Sequence, residues 1–283
     1  MSAPSSSAPV LCAHCHKTVA NFEFCTACQA VAYCSIEHQK SDWELHKPVC
    51  HSRRQKEPYI AHIDFGRSTT DNSPWCKPLV DAISLPYPRS FRLVASPEDL
   101  RSLLAHPILP SAILCTSGEI AKKQHANLRG ALKAYIEQGG RVVLGGPGIG
   151  WVPYCDIPKL LSSIGGVSWK TEGYHRTTHT LNAAHPLVAA LPSPGSSPTR
   201  ATLPDTYSCK AIVLKGVATG DMMYRSTEDS GVESLAMLLH GGKVGSDEVA
   251  VAATKVGEGW FAWCGDVNQE EGTTAAMKVL LGL

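Results

Sequence analysis

Apolar positions are distributed differently in the first fifty residues and in the rest of the chain. Between residues 12 and 50 they are few. From residue 58 onward, short apolar runs alternate with segments in which apolar residues recur every three or four positions. Short apolar runs bounded by turn residues are typical of strands, and the longer period is typical of helices. The pattern therefore predicts a small module followed by an α/β domain.

The second part contains seven predicted strands and four predicted helices. The strand candidates are PYIAHIDFG, FRLVAS, AILCTS, RVVLGG, AIVLKGV, EVAVAATKVG and GWFAWCGDV. The helix candidates are PWCKPLVDAI, PEDLRSLL, HANLRGALKAYIEQGG and TTAAMKVLLGL. Strands that alternate with helices favour a mainly parallel sheet covered on both faces. The stretch Pro192–Pro204 is expected to be a loop.

These patterns divide the 283 residues into four segments. Residues 1–11 are expected to be a disordered tail and residues 12–50 a metal-bound finger with short helices. Residues 51–57 are polar and charged, as expected of a connector. Residues 58–283 are expected to form the α/β domain, a size that suits one folded unit.

Charge and hydropathy exclude some classes of partner. The net charge of +1 gives no field that would attract nucleic acid, and no basic face is concentrated in the finger. No apolar run approaches the ~20 residues that span a bilayer. The N-terminus has neither the basic start nor the apolar stretch of a secretory signal. We therefore expect a cytoplasmic or nuclear protein, where structural disulfides are rare.

The cysteines then need another explanation. Six of the eleven lie in the first fifty residues. Together with two histidines they form the series Cys12, Cys15, Cys25, Cys28, Cys34, His38, His46 and Cys50. A C-x-x-C pair commonly begins a tetrahedral zinc site, and residues four apart share one face of a helix. Eight such ligands suit two zinc ions, which would also stabilise a segment too small to fold on its core alone.

The spacing and the tail QKSDWELHKPVC resemble the MYND-type zinc finger. The resemblance implies two interleaved sites. One zinc would be bound by Cys12, Cys15, Cys34 and His38, and the other by Cys25, Cys28, His46 and Cys50. His38 stands where the family normally has cysteine, and imidazole is a competent zinc ligand. His14 and His16 flank Cys15 and are alternative ligands.

The same resemblance implies a partner. MYND fingers bind short proline-rich peptides, and the residues that match the peptide groove are Thr26, Gln39 and Trp43. An extended proline-containing segment docks well against an indole face. The alternative for Trp43 is that it only fills the small core between the zinc sites.

The α/β domain resembles the class I glutamine amidotransferase-like fold, closest to the trehalose-utilisation type, which implies a flavodoxin-like architecture. The helix into GGRVVLGG, the AHPLVAALP segment and GEGWFAWCGDVN carry the resemblance. Amidotransferases need a cysteine at a sharp strand-to-helix turn. The corresponding turn Leu144–Trp151 has no Cys, Ser or Thr, which argues against catalysis.

The other candidate catalytic groups also have simpler, structural roles. Cys115, Cys155 and Ser117 lie near strand ends, but a lone thiol is more often a buried apolar group. His175, His179 and His185 could form a metal or base cluster, or could face solvent and start a helix. The glycines of GGPGIG indicate a tight turn, and Asp266 is expected to cap the final helix region or the sheet edge.

Three functions remain open. The first is a zinc-dependent adaptor whose finger docks a partner while the α/β domain acts as a non-catalytic scaffold. The second is a hydrolase or amidotransferase-like enzyme that the finger targets. The third is a transcriptional co-regulator. The sequence leaves open the identity of the partner and the oligomeric state.

Overall fold

The computed structural model describes residues 11–18, 22–25, 28, 31–55, 59–65, 77–84, 91–106, 108–191, 203–233 and 244–283. Thr26, most of the predicted loop Pro192–Pro204 and nearly all of the predicted N-terminal tail lie outside these ranges. The chain divides into two compact units, Met1–Tyr59 and Ile60–Leu283. No helix in the described ranges is both long and apolar enough to cross a bilayer.

The first unit is a short hairpin followed by one long helix. Strands β1 (Glu23–Phe24) and β2 (Ala32–Tyr33) pair antiparallel, and helix α1 spans Ile36–Gln55. The Ser35 hydroxyl accepts a hydrogen bond from the backbone N–H of His38 (3.2 Å), which caps the helix start.

The expectation of short helices is corrected, because α1 has 20 residues and enters the predicted connector. The connector begins with HSRRQ, in which Arg and Gln favour helix and no Gly or Pro stops it. Pro48 lies inside the helix, where it cannot donate a backbone hydrogen bond.

The second unit is built on a mixed sheet whose described strands follow the order β4-β3-β5-β6-β11-β10-β8-β7-β9. The strands are β3 (Ile60–Ile63), β4 (Phe91–Val94), β5 (Ala112–Cys115), β6 (Arg141–Gly145), β7 (Lys170–Leu181), β8 (Thr206–Lys215), β9 (Met222–Arg225), β10 (Val249–Val256) and β11 (Gly259–Cys264). The seven strands predicted from the sequence are all present, and β7 and β9 are additional.

Helices lie between the strands, as the alternating pattern predicts. They are α2 (Lys77–Ser84), α3 (Pro97–Leu104), α4 (Ala126–Glu137), α5 (Pro147–Gly150), α6 (Ile157–Gly165), α7 (Pro186–Ala189) and α8 (Glu271–Leu281). The predicted face of α4 is buried, including Leu128, Leu132 and Ile136. Buried side chains of the strands, α2 and α8 form a shared apolar core.

The expectation of a mainly parallel sheet holds for only one part of the second unit, and the flavodoxin-like architecture is not confirmed. Strands β4, β3, β5, β6 and β11 are parallel neighbours. The remaining pairings are antiparallel, and β9 pairs with both β7 and β10, so this half closes like a barrel. The reversal begins where the tight turn at Gly257 (φ 58°) joins β10 to β11 as a hairpin.

Candidate metal centres

The first half of the finger places its cysteines in tight backbone turns. In the loop before β1, the N–H of Cys12 donates to the carbonyl of Lys17 (3.1 Å) and the N–H of His16 to that of Cys12 (2.8 Å). Cys25 directly follows β1, and its N–H donates to the carbonyl of Val31 (2.9 Å). These local bonds hold the thiols beside the hairpin before any metal is considered.

Helix α1 supplies the other side of both groups. His38 lies in its first turn and follows Cys34 by four residues, while His46 and Cys50 lie one turn apart further along. The helix therefore carries His38 near its start, just after Cys34, and the pair His46 and Cys50 about two turns later. The two ligand sets alternate along the sequence, but they form separate groups in space because their ligands on α1 lie two turns apart along the helix.

The first group consists of Cys12, Cys15, Cys34 and His38. The Cys12 Sγ–His38 Nδ1 distance is 3.7 Å, the Cys15 Sγ–Cys34 Sγ distance is 3.9 Å, and the Cys34 Sγ–His38 Nδ1 distance is shorter, at 2.8 Å. A tetrahedral zinc site with Zn–S of about 2.3 Å and Zn–N of about 2.0 Å separates neighbouring ligand atoms by about 3.5–3.8 Å. Two of the three distances fit that geometry.

The second group consists of Cys25, Cys28, His46 and Cys50. Its Cys25 Sγ–Cys50 Sγ distance is 3.7 Å and its Cys28 Sγ–His46 Nε2 distance is 3.5 Å. Sulfur atoms at these separations are not disulfides, which require about 2.05 Å. In each group all four ligand atoms lie within 4.8 Å of one another. Each Cys3His group could hold one zinc, consistent with two ions per chain.

Without a bound cation, ionisation of all the thiols within one group is unfavourable. Burial and the adjacent Cys12 and Cys15 raise the pKa of the Cys34 thiol to about 11. Burial and Cys25 raise the pKa of Cys50 to about 12. Burial acts in the same direction on Cys12, but backbone N–H groups outweigh it and lower its pKa to about 6. A divalent cation would favour the thiolate form of all of them.

The alternative ligand His14 is close to the first group. Its ring centroid lies 4.8 Å from that of His38. His14 and His16 are both exposed, and neither belongs to the four residues whose ligand atoms converge. The geometry favours His38 and leaves His14 within reach.

Of the three predicted peptide-groove residues, Thr26 lies outside the described residues. Gln39 and Trp43 are both half-buried on α1, four residues apart and so on one face. The indole of Trp43 packs edge-on against the ring of His46, with centroids 6.0 Å apart. Trp43 therefore both supports the second group and keeps part of its ring in contact with solvent.

The finger unit also exposes large apolar side chains. Phe22 and Phe24 are 38% and 44% exposed and pack edge to face at 5.2 Å. Leu11, Ile36 and Leu45 are each more than half exposed. Phe22 and Phe24 thus form an exposed aromatic pair on this unit.

In the second unit, the candidate nucleophile Cys115 lies in an unfavourable environment. Cys115 is fully buried, its Sγ lies 3.8 Å from the carbonyl of Ser117, and burial raises its pKa to about 12. Cys155 is exposed. The turn Leu144–Trp151 contains Gly146 at φ 88° and the short helix α5, as the tight-turn interpretation predicts.

The three histidines do not form one cluster. His185 begins α7, where its Nδ1 accepts from the N–H of Leu187 (3.2 Å) and its Nε2 bonds to the carbonyl of Ala253 (3.0 Å). The expectation that His175 and His179 face solvent is wrong. His179 is fully buried, and His175 lies 3.0 Å from the Glu248 carboxylate, because the barrel-like closure encloses this part of β7.

Comparison with known proteins agrees with the geometry of the first unit. Residues 12–50 match the family model described as "MYND finger". The finger region is 47% identical over 55 residues to the hypoxia-inducible factor prolyl hydroxylase of Caenorhabditis elegans, covering 18% of this chain and 8% of that protein. It is 46% identical over 39 residues to SET domain-containing protein 14 of the same organism, covering 14% of this chain and 9% of that protein. The chain thus spans less than a tenth of the length of either relative.

Comparison with solved structures finds distant neighbours of this chain. A β-galactosidase from Bacillus circulans sp. alkalophilus superposes with a TM-score of 0.47 at 13% identity, covering 87% of this chain and 34% of that one. A putative thua-like protein from Bacteroides uniformis gives a TM-score of 0.44 at 14% identity, covering 79% and 87%. Scores this low do not assign a fold family, so the amidotransferase-like relationship stays a prediction.

Proposed function

We propose that this chain is a zinc-binding adaptor that docks a proline-rich peptide of a partner protein through Thr26, Gln39 and Trp43. The observation that carries the proposal is the position of Trp43, which packs on the zinc-group residue His46 while part of its surface stays open. A ring held in this way is pre-ordered, so binding costs less side-chain entropy.

The chemistry of the helix face suits a peptide in polyproline II conformation. Proline rings stack on aromatic surfaces, and this conformation leaves backbone carbonyls free to accept hydrogen bonds. Gln39, one turn before Trp43, carries an amide that can donate to such a carbonyl. Phe22 and Phe24 are further exposed apolar groups on the same small unit.

Zinc would control this activity indirectly. If His46 and Cys50 anchor the second half of α1 through the metal, removal of zinc frees that half and with it Trp43. We place the adaptor in the cytoplasm or nucleus, where reducing conditions keep zinc-binding thiols available. The buried Cys115, with its raised pKa, supports a non-catalytic role for this position of the second unit.

The test is binding of a panel of synthetic proline-rich peptides to the zinc-loaded full chain by fluorescence anisotropy. Trp43→Ala should abolish binding, and Gln39→Ala should weaken it about fivefold, the loss expected for one hydrogen bond. Leu45→Ala is the matched control, because Leu45 is an exposed apolar residue on the same helix. Zinc content must stay at two per chain in all three variants.

Two results would overturn the groove assignment. One is unchanged peptide affinity in Trp43→Ala with both zinc ions retained. The other is an equal loss in Leu45→Ala and Trp43→Ala, which would indicate a general apolar surface rather than a peptide groove.

A further inference from the structure

Helix α1 carries Gln39, Trp43 and Lys47 at four-residue intervals. Residues four apart in a helix share one face and lie about 6 Å apart along its axis. A peptide that contacts both Gln39 and Trp43 therefore runs along this row. Beyond Trp43, the same row reaches Lys47 one helical turn later, so the next side chain that the peptide meets is a cation.

The charge of Lys47 is available to a ligand. The residue is exposed, and its side chain forms no ion pair and no hydrogen bond with any residue that the structure describes. Glu44, three residues earlier on the helix, is also exposed and does not pair with it. An ammonium group in this position can therefore bind an incoming carboxylate without first giving up a partner.

Lys40, the other lysine of α1, is less well placed. It follows Glu37 by three residues and precedes Glu44 by four, and all three side chains are exposed. Carboxylates at these spacings are neighbours of a lysine on the helix surface and share its charge. Lys40 also directly follows Gln39, which puts it beside the row rather than on it. Lys47 is therefore the cation that a peptide in the row would contact.

The hairpin of the finger brings little charge of its own. Between residues 18 and 32 the sequence contains one charged side chain, Glu23, so residues 19–21, 26–27 and 29–30, which lie outside the described ranges, are all uncharged. Glu23 is exposed on β1 and forms no ion pair with Lys47. The hairpin residues therefore do not neutralise the lysine.

Lys47 has a second possible role beside the zinc group. It directly follows His46 and precedes Cys50 by three residues. Three thiolates around one zinc ion leave that group with a net negative charge, which attracts a nearby ammonium group. If this were the main role of Lys47, its loss would weaken zinc binding and would not change which peptide is preferred. The two roles therefore have different readouts.

We propose, building on the proposed function, that the partner peptide carries an aspartate or glutamate two or three residues from the proline that stacks on Trp43, and that Lys47 binds this carboxylate. The polyproline II conformation rises about 3.1 Å per residue, so two residues cover the roughly 6 Å of one helical turn. Because the ion pair is exposed, it adds up to about fivefold in affinity and acts mainly by selecting among proline-rich partners.

The test is fluorescence anisotropy of the zinc-loaded full chain with synthetic peptides that share a core of six prolines. The core is extended by two glutamates, two glutamines or two lysines, at either end in separate peptides, so that both orientations are sampled. In one orientation the glutamate peptide should bind about three- to fivefold more tightly than the glutamine peptide, and the lysine peptide should bind most weakly. Added salt should reduce these differences.

Three variants of Lys47 and one control locate the effect. Lys47→Gln should bind the glutamate and glutamine peptides equally, Lys47→Glu should prefer the lysine peptide, and Lys47→Arg should behave as the unmodified chain. Lys17→Gln removes an exposed lysine of the same unit that lies outside α1, and it should leave the preference unchanged. Zinc content should stay at two per chain in every variant.

The outcomes separate this proposal from the proposed function. If none of the peptides binds, the proposed function fails, and this proposal fails with it. Equal binding of the glutamate and glutamine peptides to the unmodified chain would overturn only the role of Lys47. A preference retained in zinc-loaded Lys47→Gln, or lost equally in Lys17→Gln, would also overturn it. Loss of zinc in Lys47→Gln would assign the charge to the zinc group instead.

Discussion

The hydroxyl of Tyr33 donates a 2.6 Å hydrogen bond to the carboxylate of Asp42 inside the finger. Both side chains are buried, at 1% and 6% exposure. The bond joins β2 to α1 and therefore fixes the helix that carries His38 and His46 against the hairpin that carries the cysteines. Tyr33 directly precedes the ligand Cys34, and Asp42 lies midway between the ligands His38 and His46 in the sequence.

The first prediction concerns this bond. Tyr33→Phe would leave the Asp42 carboxylate buried without its donor, a loss of about 1–3 kcal/mol. Because zinc binding and folding are coupled in a unit of this size, zinc should be released by a competing chelator at concentrations about ten- to a hundredfold lower. Chelator titration with a colorimetric zinc indicator measures the change.

Asp42→Asn is the companion variant for that experiment. The amide keeps an oxygen acceptor for the tyrosine but removes the charge, so its effect should be smaller than that of Tyr33→Phe. If Tyr33→Phe released zinc no more easily than the unmodified chain, the bond would not contribute to the arrangement of the ligands.

The second prediction concerns metal content. Elemental analysis of the purified full chain should find about two zinc ions, and His38→Ala should retain about one, because the first group loses a quarter of its ligands. His14→Ala is the matched control and should keep both ions. If His38→Ala keeps two, the adjacent His14 is the ligand, and the double variant should then lose one.

The third prediction concerns pH. Burial, with His175 adding to it, lowers the pKa of His179 to about 4, and neither ring nitrogen has a hydrogen-bond partner among the described residues. The unfolded chain protonates this ring near its ordinary pKa of about 6.5, while the folded chain does not. The contribution of His179 to the free energy of unfolding should therefore be fully present above pH 6.5. It should be lost as the pH drops from 6.5 to 4, which lowers the free energy of unfolding by up to about 3 kcal/mol.

Comparison with His179→Gln isolates this contribution. Denaturant unfolding of both proteins between pH 4 and pH 7 should give a smaller slope for the variant, while zinc release at low pH affects both equally. Glu248 and Glu233, whose pKa values are lowered despite burial, add a decline at low pH that the variant should largely retain. Identical slopes would contradict the assignment to His179.

The fourth prediction concerns Asp266, which is 1% exposed. Its carboxylate accepts from the N–H of Asn268 (2.9 Å), the N–H of Glu270 (2.8 Å) and the hydroxyl of Thr273 (2.5 Å) at the start of α8. Asp266→Ala should lower the free energy of unfolding by about 2–4 kcal/mol, because it leaves buried donors without partners. Thermal unfolding measures this, and Thr273→Val, which removes only one donor, should cost less.

The sequence predicted some features well because local chemistry determines them. The ligand spacing of the finger, the buried face of α4 and the role of Asp266 beside α8 all depend on residues close together in the chain. Capping and helical periodicity need no knowledge of the distant fold. These features are therefore predictable from the sequence alone.

The features that were missed depend on long-range pairing. Strand β7 has the sequence KTEGYHRTTHTL, which contains few apolar residues and no clear apolar alternation. It is a strand because it pairs with β8 from Lys170↔Lys215 to Thr180↔Thr206. The same pairing, completed by β9 and β10, buries His179, and no local pattern could have indicated that.

The double pairing of β9 has a consequence for how molecules of this protein meet one another. A β-sheet usually has two outer strands whose unused backbone groups can recruit another chain. Here β9 pairs with β10 as well as with β7, so in the part of the chain that the structure describes β9 is not an open outer strand, and the four-residue β4 ends the other side of the sheet. Strand addition between copies is therefore opposed at β9, and the borders left for it among the described strands are the short β4 and the stretch of β7 before Thr180, which pairs only with β8.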